Sequence, residues 1–208
     1  ALASLPAEEL AWRSIATHIL GDAYDLSGEM HAAYQARLES VTAARAAGEP
    51  MQIMLAHLKL AIILRHQGKL QQVIAICEQQ YQFAVSKKLQ HALVAGWLLA
   101  IWAEALAESN ALDDALAKLD QSLTIAARGG DIAMRSWIYL CGIRIRFSRA
   151  EFAAAEAMVQ TLDAWSNEHF VPGWMLDLNA AWQVRLWLVG GNLLEAQQVY
   201  REAAPETL

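Results

Sequence analysis

The sequence is poor in several residue types and patterns that mark large classes of protein. It contains 2 cysteines and only 4 prolines among 208 residues. Cys77 and Cys141 lie in apolar helical segments, so buried thiols are expected, and no cysteine pattern supports a disulfide framework. No segment alternates apolar and polar residues in the manner of a half-buried strand. These shortages favour a protein built from helices.

Long apolar runs and targeting segments are also missing from the sequence. The longest uninterrupted apolar stretch covers residues 92–103, which is shorter than the roughly 20 residues that a membrane-spanning helix needs. The first residues do not place a basic segment ahead of an apolar core, as a signal peptide does. We therefore expect a cytoplasmic protein with no membrane segment. The abrupt first and last residues lead us to expect a fragment of a longer chain.

Positive charge is scarce and scattered. The chain has 16 Lys and Arg against 22 Asp and Glu, a net charge of −6, and no basic stripe. Because neutralising phosphates requires clustered Lys and Arg, direct nucleic-acid contact by this segment is not expected.

Catalytic and metal-binding patterns are lacking as well. The 6 histidines form no His-x-x-x-His pair, and the sequence has no Gly-x-Ser-x-Gly turn and no phosphate-binding loop. The acidic pairs Glu8-Glu9 and Asp113-Asp114 fall in first turns of predicted helices, where they complement the helix dipole. We therefore expect no enzyme activity, no metal and no cofactor in this segment.

What the sequence does contain is a repeat with a period near 41 residues. Five apolar residues, which we call the marker residues, follow one another at spacings of 40, 42, 40 and 41: Met30, Leu70, Leu112, Phe152 and Leu193. Three residues after each marker comes a small or β-branched apolar residue: Ala33, Val73, Ala115, Ala155 and Ala196. Two residues before each marker comes a small or turn-forming residue: Gly28, Gly68, Asn110, Ala150 and Gly191. Such a period predicts stacked supersecondary units.

Between the turns, apolar residues recur at helical spacing and predict five helix pairs. The first helices are predicted over 6–26, 51–66, 90–108, 131–147 and 173–189, and their partners over 29–46, 70–86, 112–128, 152–165 and 193–203. The small residue after each marker suits a close crossing of the two helices, and the marker itself is expected to pack into the groove of the first helix.

The repeat unit combines features of two repeat classes. Its period matches HEAT or armadillo repeats of about 40–47 residues, whereas the Gly-x-apolar-x-x-Ala turn is typical of tetratricopeptide (TPR) repeats of about 34. We predict an all-α fold, an α-α superhelix of the TPR-like solenoid type made of five antiparallel helix pairs, with one domain over 1–208.

Three stretches resemble the helical-repeat domain of MalT-like LuxR-family ATP-dependent transcriptional regulators. LPAEE at 5–9, followed by Arg13, LGDAY at 20–24 and Gly28, resembles the opening of that domain. RLWLVGGNL at 185–193 is similar to the RLWLAQGDL stretch near its end, and LAESNAL at 106–112 falls where the family has a similar turn. The resemblance implies repeats that sense an inducer or a regulatory protein. It also implies that ATP and DNA are bound by other domains of a full-length protein.

Two positions of the first helices are expected to share the concave face. Fifteen residues before the markers are Ile15, Leu55, Trp97, Trp137 and Leu178, and eight residues before them are Asp22, Ile62, Glu104, Arg144 and Arg185. The two positions are seven residues apart, about two helical turns, so their side chains point the same way. The candidate ligand-binding residues are therefore Trp97, Glu104, Trp137, Arg144 and Arg185.

Aromatic platforms beside bidentate donors suit a sugar, a peptide or an anionic metabolite. The alternative is that Trp97 and Trp137 pack between repeats and that the charges form solvated ion pairs. Trp165 and Trp174 flank the loop at Pro172 and are expected to hold it down rather than to edge a binding site.

The sequence is compatible with two functions. The first is a sensor domain of a cytoplasmic transcriptional activator, binding a small inducer or a regulatory protein on its concave face. The second is a general peptide-binding adaptor or assembly scaffold with no link to transcription. Self-association of the segment fits either function.

Overall fold

The computed structural model of the protein describes residues 6 and 8–203. Ten α-helices and no strands are found in this part of the chain, as the all-α prediction requires. The helices are α1 (Leu10–Leu26), α2 (Met30–Ala47), α3 (Pro50–His66), α4 (Leu70–Ser86), α5 (Leu93–Glu108), α6 (Leu112–Ala126), α7 (Ile132–Ser148), α8 (Phe152–Glu168), α9 (Gly173–Gly190) and α10 (Leu193–Ala203). None of the described helices is long and apolar enough to cross a membrane.

The five predicted helix pairs are all present, and the largest boundary differences lie at the starts of α1 and α5 and at the end of α8, which runs to Glu168 rather than to residue 165. Helix α1 begins at Leu10 rather than at residue 6, because the Glu9 N–H donates to the Pro6 carbonyl and closes a separate turn. Helix α5 begins at Leu93 rather than at residue 90, after a turn at residues 89–91. Helix α7 begins at Ile132, one residue after the predicted start, and the Asp131 carboxylate caps it by accepting the Met134 N–H at 2.8 Å.

The same turn joins the two helices of every pair. The residue two before each marker adopts a left-handed conformation, with φ of 78° at Gly28, 71° at Gly68, 63° at Asn110, 58° at Ala150 and 80° at Gly191. The N–H of the next residue then donates to the carbonyl five residues earlier, as from Glu29 to Tyr24 at 2.8 Å. This is the Schellman ending of a helix, which favours glycine or asparagine at the left-handed position. Alanine at 150 is therefore the strained member of the set.

Each marker residue is the first residue of the second helix of its pair. Ala33, Val73, Ala115 and Ala155 are fully buried three residues later, and Ala196 is 5% exposed. The prediction that the marker itself fills a groove is only partly correct, because the markers lie at a helix start where side chains are half-buried, and Leu193 is 64% exposed. The small residue after the marker therefore sets the helix crossing.

The helices form two layers that differ in how closely their members approach. Each odd-numbered helix contacts the next odd-numbered helix as well as its sequence neighbours. Within the described chain, the even-numbered helices do not contact one another. Since the odd-numbered layer is the closer-packed one, it lies on the inner, concave side of the curved stack. The core is densest around α5, where twelve of the sixteen residues are buried.

Candidate functional site

The concave face carries two adjoining clefts. The first, which we call the tryptophan cleft, has a volume of about 640 Å³ and is lined by residues of α1, α3, α5, α7 and α9, with Trp97, Trp137 and Trp174 among them. The second, which we call the arginine cleft, has a volume of about 450 Å³ and includes Arg144 and Arg185. Trp137 lines both clefts and therefore lies where they meet. Both volumes fall in the range of about 300–1,000 Å³ that small-molecule sites occupy.

All five candidate residues predicted from the sequence line these clefts. Trp97 belongs to the tryptophan cleft, Glu104, Arg144 and Arg185 belong to the arginine cleft, and Trp137 belongs to both. Superposing the repeats on their markers therefore brings the five side chains to one surface.

Three tryptophans form a ladder across successive repeats in the tryptophan cleft. The ring centroids of Trp97 and Trp137 are 6.1 Å apart, and those of Trp137 and Trp174 are 5.3 Å apart, with tilts of 57° and 60° between the rings. Exposure increases along the ladder: Trp97 is 8% exposed, Trp137 is intermediate and Trp174 is 42% exposed. Trp97 is therefore mainly a core residue, whereas Trp137 and Trp174 present ring surface that a ligand can cover.

Trp174 corrects one expectation drawn from the sequence. It was expected to hold down the loop at Pro172, yet its ring packs against Trp137 and lines the tryptophan cleft. The other tryptophan of that expectation, Trp165, stacks on Tyr139 with ring centroids 4.6 Å apart, and it also packs against the core cluster that includes Val171 of the loop. The sequence did contain a signal for Trp174, because it lies four residues before Leu178 and so shares its helix face.

The N-terminal wall of the tryptophan cleft is an ion cluster centred on Asp22. Its carboxylate accepts hydrogen bonds from Arg37 at 2.6 Å and from Lys59 at 2.9 Å, and His18 lies 3.3 Å away. Burial raises the pKa of Asp22, but the bonds from His18 and Lys59 and the charges of Lys59 and Arg37 outweigh it and hold that pKa well below its ordinary value. The Lys59 ammonium also lies 5.1 Å from the centroid of the Trp97 ring. The Asp22 carboxylate is therefore fully paired, by two permanently charged side chains.

A second ion network underlies the arginine cleft. Arg65 of α3 contacts Glu104 at 3.0 Å and Glu108 at 2.9 Å, both on α5. Arg144 of α7 contacts the same two carboxylates at 3.6 Å and 2.7 Å. The side chains of Arg65 and Glu104 are 8% and 6% exposed, so their pair is largely desolvated, whereas that of Arg144 is 39% exposed. Ionic contacts therefore tie three successive repeats together on the concave side.

Cys141 lies beneath this network and also lines the arginine cleft. Burial, together with the neighbouring Glu104 carboxylate, raises the pKa of the Cys141 thiol well above its ordinary value. A thiol held in its neutral form is a poor nucleophile. The residue is therefore part of the packed floor of the cleft.

Arg185 is the arginine of this cleft for which the described residues provide no acidic partner. Its guanidinium carbon lies 4.6 Å from the centroid of the Trp182 ring, on the same helix three residues earlier. Its side chain is exposed, and no carboxylate of the described residues forms an ion pair with it. Stacking on an aromatic ring restricts the orientation of the guanidinium and leaves its N–H groups free to donate.

The repeat alignment did not select several charged side chains of the two ion networks. Lys59 lies four residues after the aligned position Leu55, and Arg65 lies three residues after the aligned position Ile62, so both neighbour the selected face. Glu108 likewise follows Glu104 by four residues. Widening the selected face by one helical turn would have found all three.

Among the described residues, no group of three or more His, Cys, Asp or Glu side chains is placed to hold a metal ion. The chemical character of the concave face is thus aromatic surface bordered by guanidinium groups. Such a face can bind by stacking and by charge-assisted hydrogen bonds.

The fold and the concave face define a helical-repeat protein of the TPR-like class. Two solved structures share this architecture: a Podosopora anserina "putative kinesin light chain" with nearly identical TPR-like repeats, and a single-substitution variant of it. Each is 16% identical to this chain and covers 91% of it, the match spanning 93% of the solved chain, with TM-scores of 0.61 and 0.62. At this identity the likeness concerns the fold.

The family is given by the sequence itself. The chain belongs to the family described as the MalT-like TPR region, which matches residues 1–208. No curated protein matches the sequence. Repeat regions of this class generally serve as scaffolds that bind other molecules on extended concave surfaces.

Proposed function

We propose that this chain is the ligand- or partner-sensing domain of a LuxR/MalT-like transcriptional activator, and that it binds an inducer or a regulatory protein on its concave face. ATP and DNA binding are proposed to belong to other domains of the full-length protein. The proposal combines membership of the MalT-like TPR family with the character of the concave face.

The observation that carries the proposal is the position of Trp137 and Trp174. Both rings belong to the tryptophan cleft, Trp174 is 42% exposed, and the cleft continues past Trp137 into the arginine cleft. Large aromatic surface left open in a concave, mostly apolar cleft is typical of a binding site. A purely structural ladder would instead bury all three rings as deeply as it buries Trp97.

A ligand at this position contacts several repeats at once, which provides a route from binding to signalling. The ladder draws one tryptophan from each of α5, α7 and α9, and these helices contact one another in the inner layer. In a solenoid the curvature follows from small rotations between neighbouring repeats. A ligand that binds one curvature more tightly than another shifts the population toward it, and neighbouring domains can respond to that shift.

The second candidate function, a peptide-binding adaptor, is supported by the fold itself, since the solved TPR-like structures share the architecture at low identity. The full-length gene distinguishes the two. A phosphate-binding loop before the repeats and a helix-turn-helix after them would support the activator. Their absence from the full-length gene would favour the adaptor.

Binding is tested by titrating the protein with a panel made of a sugar, a short peptide and a carboxylic acid, using isothermal calorimetry. Trp174→Ala is the informative variant, because its half-exposed ring can be removed at modest structural cost. Trp12→Ala is the matched control, since Trp12 is 61% exposed on α1 and does not line either cleft. We expect a panel compound to bind the protein and the control and to lose affinity in Trp174→Ala. Equal affinity in all three proteins would contradict a concave-face site.

A further inference from the structure

We propose that the arginine cleft is an anion subsite, and that the ligand of the concave face carries a carboxylate attached to an apolar or planar body. This inference rests on the proposed function and specifies the chemistry of its ligand. Its structural basis is a guanidinium that no carboxylate in residues 8–199 pairs with, beside aromatic surface, at the end of a continuous cleft.

The charges around the arginine cleft do not balance. Three arginines, Arg65, Arg144 and Arg185, come from α3, α7 and α9, while two carboxylates, Glu104 and Glu108, come from α5. Both carboxylates are engaged by Arg65 and Arg144 at 2.7 to 3.6 Å. Among the side chains that the structure describes, one positive charge is therefore left over, and it resides on the exposed Arg185.

The Arg185 side chain is oriented for recognition before any ligand arrives. Its guanidinium lies over the Trp182 ring at 4.6 Å, and this contact holds the planar group in place without using its N–H donors. A planar guanidinium offers two parallel N–H groups that match the two oxygens of a carboxylate. Arg144, 39% exposed and lining the same cleft, supplies further positive potential nearby.

The apolar part of the ligand has a defined place beside the anion. Trp137, Leu140 and Leu178 line the arginine cleft, and Trp137 and Leu178 also line the tryptophan cleft. A molecule whose carboxylate is held by Arg185 can therefore lay its body on the Trp137 ring and extend toward Trp174. With about 450 Å³ in the arginine cleft alone, there is room for a single-ring acid with a short side chain.

A cationic ligand fits this surface less well. The acidic groups beside the arginine cleft that could attract it, Glu104 and Glu108, are already paired with Arg65 and Arg144. A neutral ligand would leave the Arg185 charge without a counter-charge and would gain nothing from it. The carboxylate is the group that uses the donors left over.

The test compares 3-phenylpropionate with 3-phenylpropionamide, which share a body and differ in charge, by isothermal calorimetry on the protein. We expect the acid to bind roughly tenfold more tightly than the amide, as one charge-assisted hydrogen-bond pair implies. In Arg185→Gln the two compounds should bind alike, and in Arg185→Lys the acid should keep part of its advantage as a point charge remains. Arg128→Gln is the matched control, because Arg128 is exposed and lines neither cleft.

Free acids and the carboxyl terminus of a peptide share this chemistry, and a Gly-Gly-Phe peptide with a free or amidated terminus separates them. Stronger binding of the free-terminus peptide than of 3-phenylpropionate would assign the subsite to a peptide terminus. Equal affinity for acid and amide in the protein, an acid preference that survives Arg185→Gln, or no binding of any of these probes would overturn the anion subsite. A neutral panel compound that binds in a Trp174-dependent manner would preserve the proposed function while removing this inference.

Discussion

The assignment of Trp97 to the core and of Trp174 to the binding surface can be tested by replacing these tryptophans one at a time. Trp97 is 8% exposed and belongs to the main core around α5, so Trp97→Ala removes a buried ring and leaves a cavity. Such substitutions cost about 3–5 kcal/mol. For a chain of this length each kcal/mol lowers the melting temperature by roughly 2–4 °C. We therefore expect a decrease of roughly 6–20 °C for Trp97→Ala.

Trp174→Ala should be milder, because 42% of that residue is exposed and its removal opens toward solvent. About half of the cost of a buried ring, roughly 1.5–2.5 kcal/mol, is expected. Thermal unfolding of both variants, followed by circular dichroism at 222 nm, gives the comparison, with Trp12→Ala as the exposed reference. A shift in Trp97→Ala that is no larger than the shift in Trp174→Ala would refute the assignment of Trp97 to the core and of Trp174 to the binding surface.

Three further predictions concern the scaffold. Ala150→Gly should raise the melting temperature by roughly 2–4 °C, because it relieves a left-handed alanine at φ 58°; a decrease on thermal unfolding would contradict the strain. Glu104→Gln should lower the free energy of unfolding, measured with urea, by about 2 kcal/mol or more, since it leaves the buried Arg65 with Glu108 alone. Arg144→Gln should lower it by less than about 1 kcal/mol, because that side chain is 39% exposed. Burial, aided by Arg45, holds the pKa of His57 below its ordinary 6.5 despite a hydrogen bond to the Ile53 carbonyl. His57 is therefore protonated more readily in the unfolded chain than in the folded one, so the free energy of unfolding should fall as the pH drops below about 6.5. Thermal melts between pH 8 and pH 5 should show a weaker pH dependence in His57→Gln.

The fold was predictable because its determinants are local and recur. Each marker residue starts a helix, the residue two positions earlier takes the left-handed turn, and the residue three positions later lies at a close crossing. These offsets can be read along the chain without knowing which repeats touch. The helix starts at Leu10 and Leu93 were placed less well, because a separate hydrogen-bonded turn precedes each of them, closed by Glu9 N–H to the Pro6 carbonyl and by Ala92 N–H to the Leu89 carbonyl.

The candidate site was predictable only as a surface. Equivalent positions on successive first helices share a face, so the alignment brought Trp97, Trp137 and Arg144 together. The depth of each side chain was not accessible in this way, because burial depends on the neighbouring repeat. Trp97 occupies the same repeat position as Trp137, yet it is the more deeply buried of the two because it lies on α5, in the middle of the stack.

The sequence also could not predict which charged side chains pair, because the pairing depends on how neighbouring repeats are placed. The contacts of Arg65 with Glu104 and of Arg144 with Glu108 join different repeats. Which carboxylate meets which guanidinium follows from the rotation between repeats, and the sequence does not contain that rotation in readable form. Arg185 was selected by its position, but the absence of an acidic partner among the described residues emerges only once the other pairs are assigned.

The central claim, that a ligand lies on Trp137 and Trp174, is tested most directly through the indole N–H signals of the 8 tryptophans in a ¹⁵N-labelled protein. Single Trp→Phe variants assign the signals, and the titrant is the compound of the calorimetric panel that binds most tightly. We predict that the signals of Trp137 and Trp174 move with the binding isotherm while that of Trp12, which is exposed on α1 away from both clefts, stays in place. Saturation of the protein with unchanged Trp137 and Trp174 signals would contradict the claim.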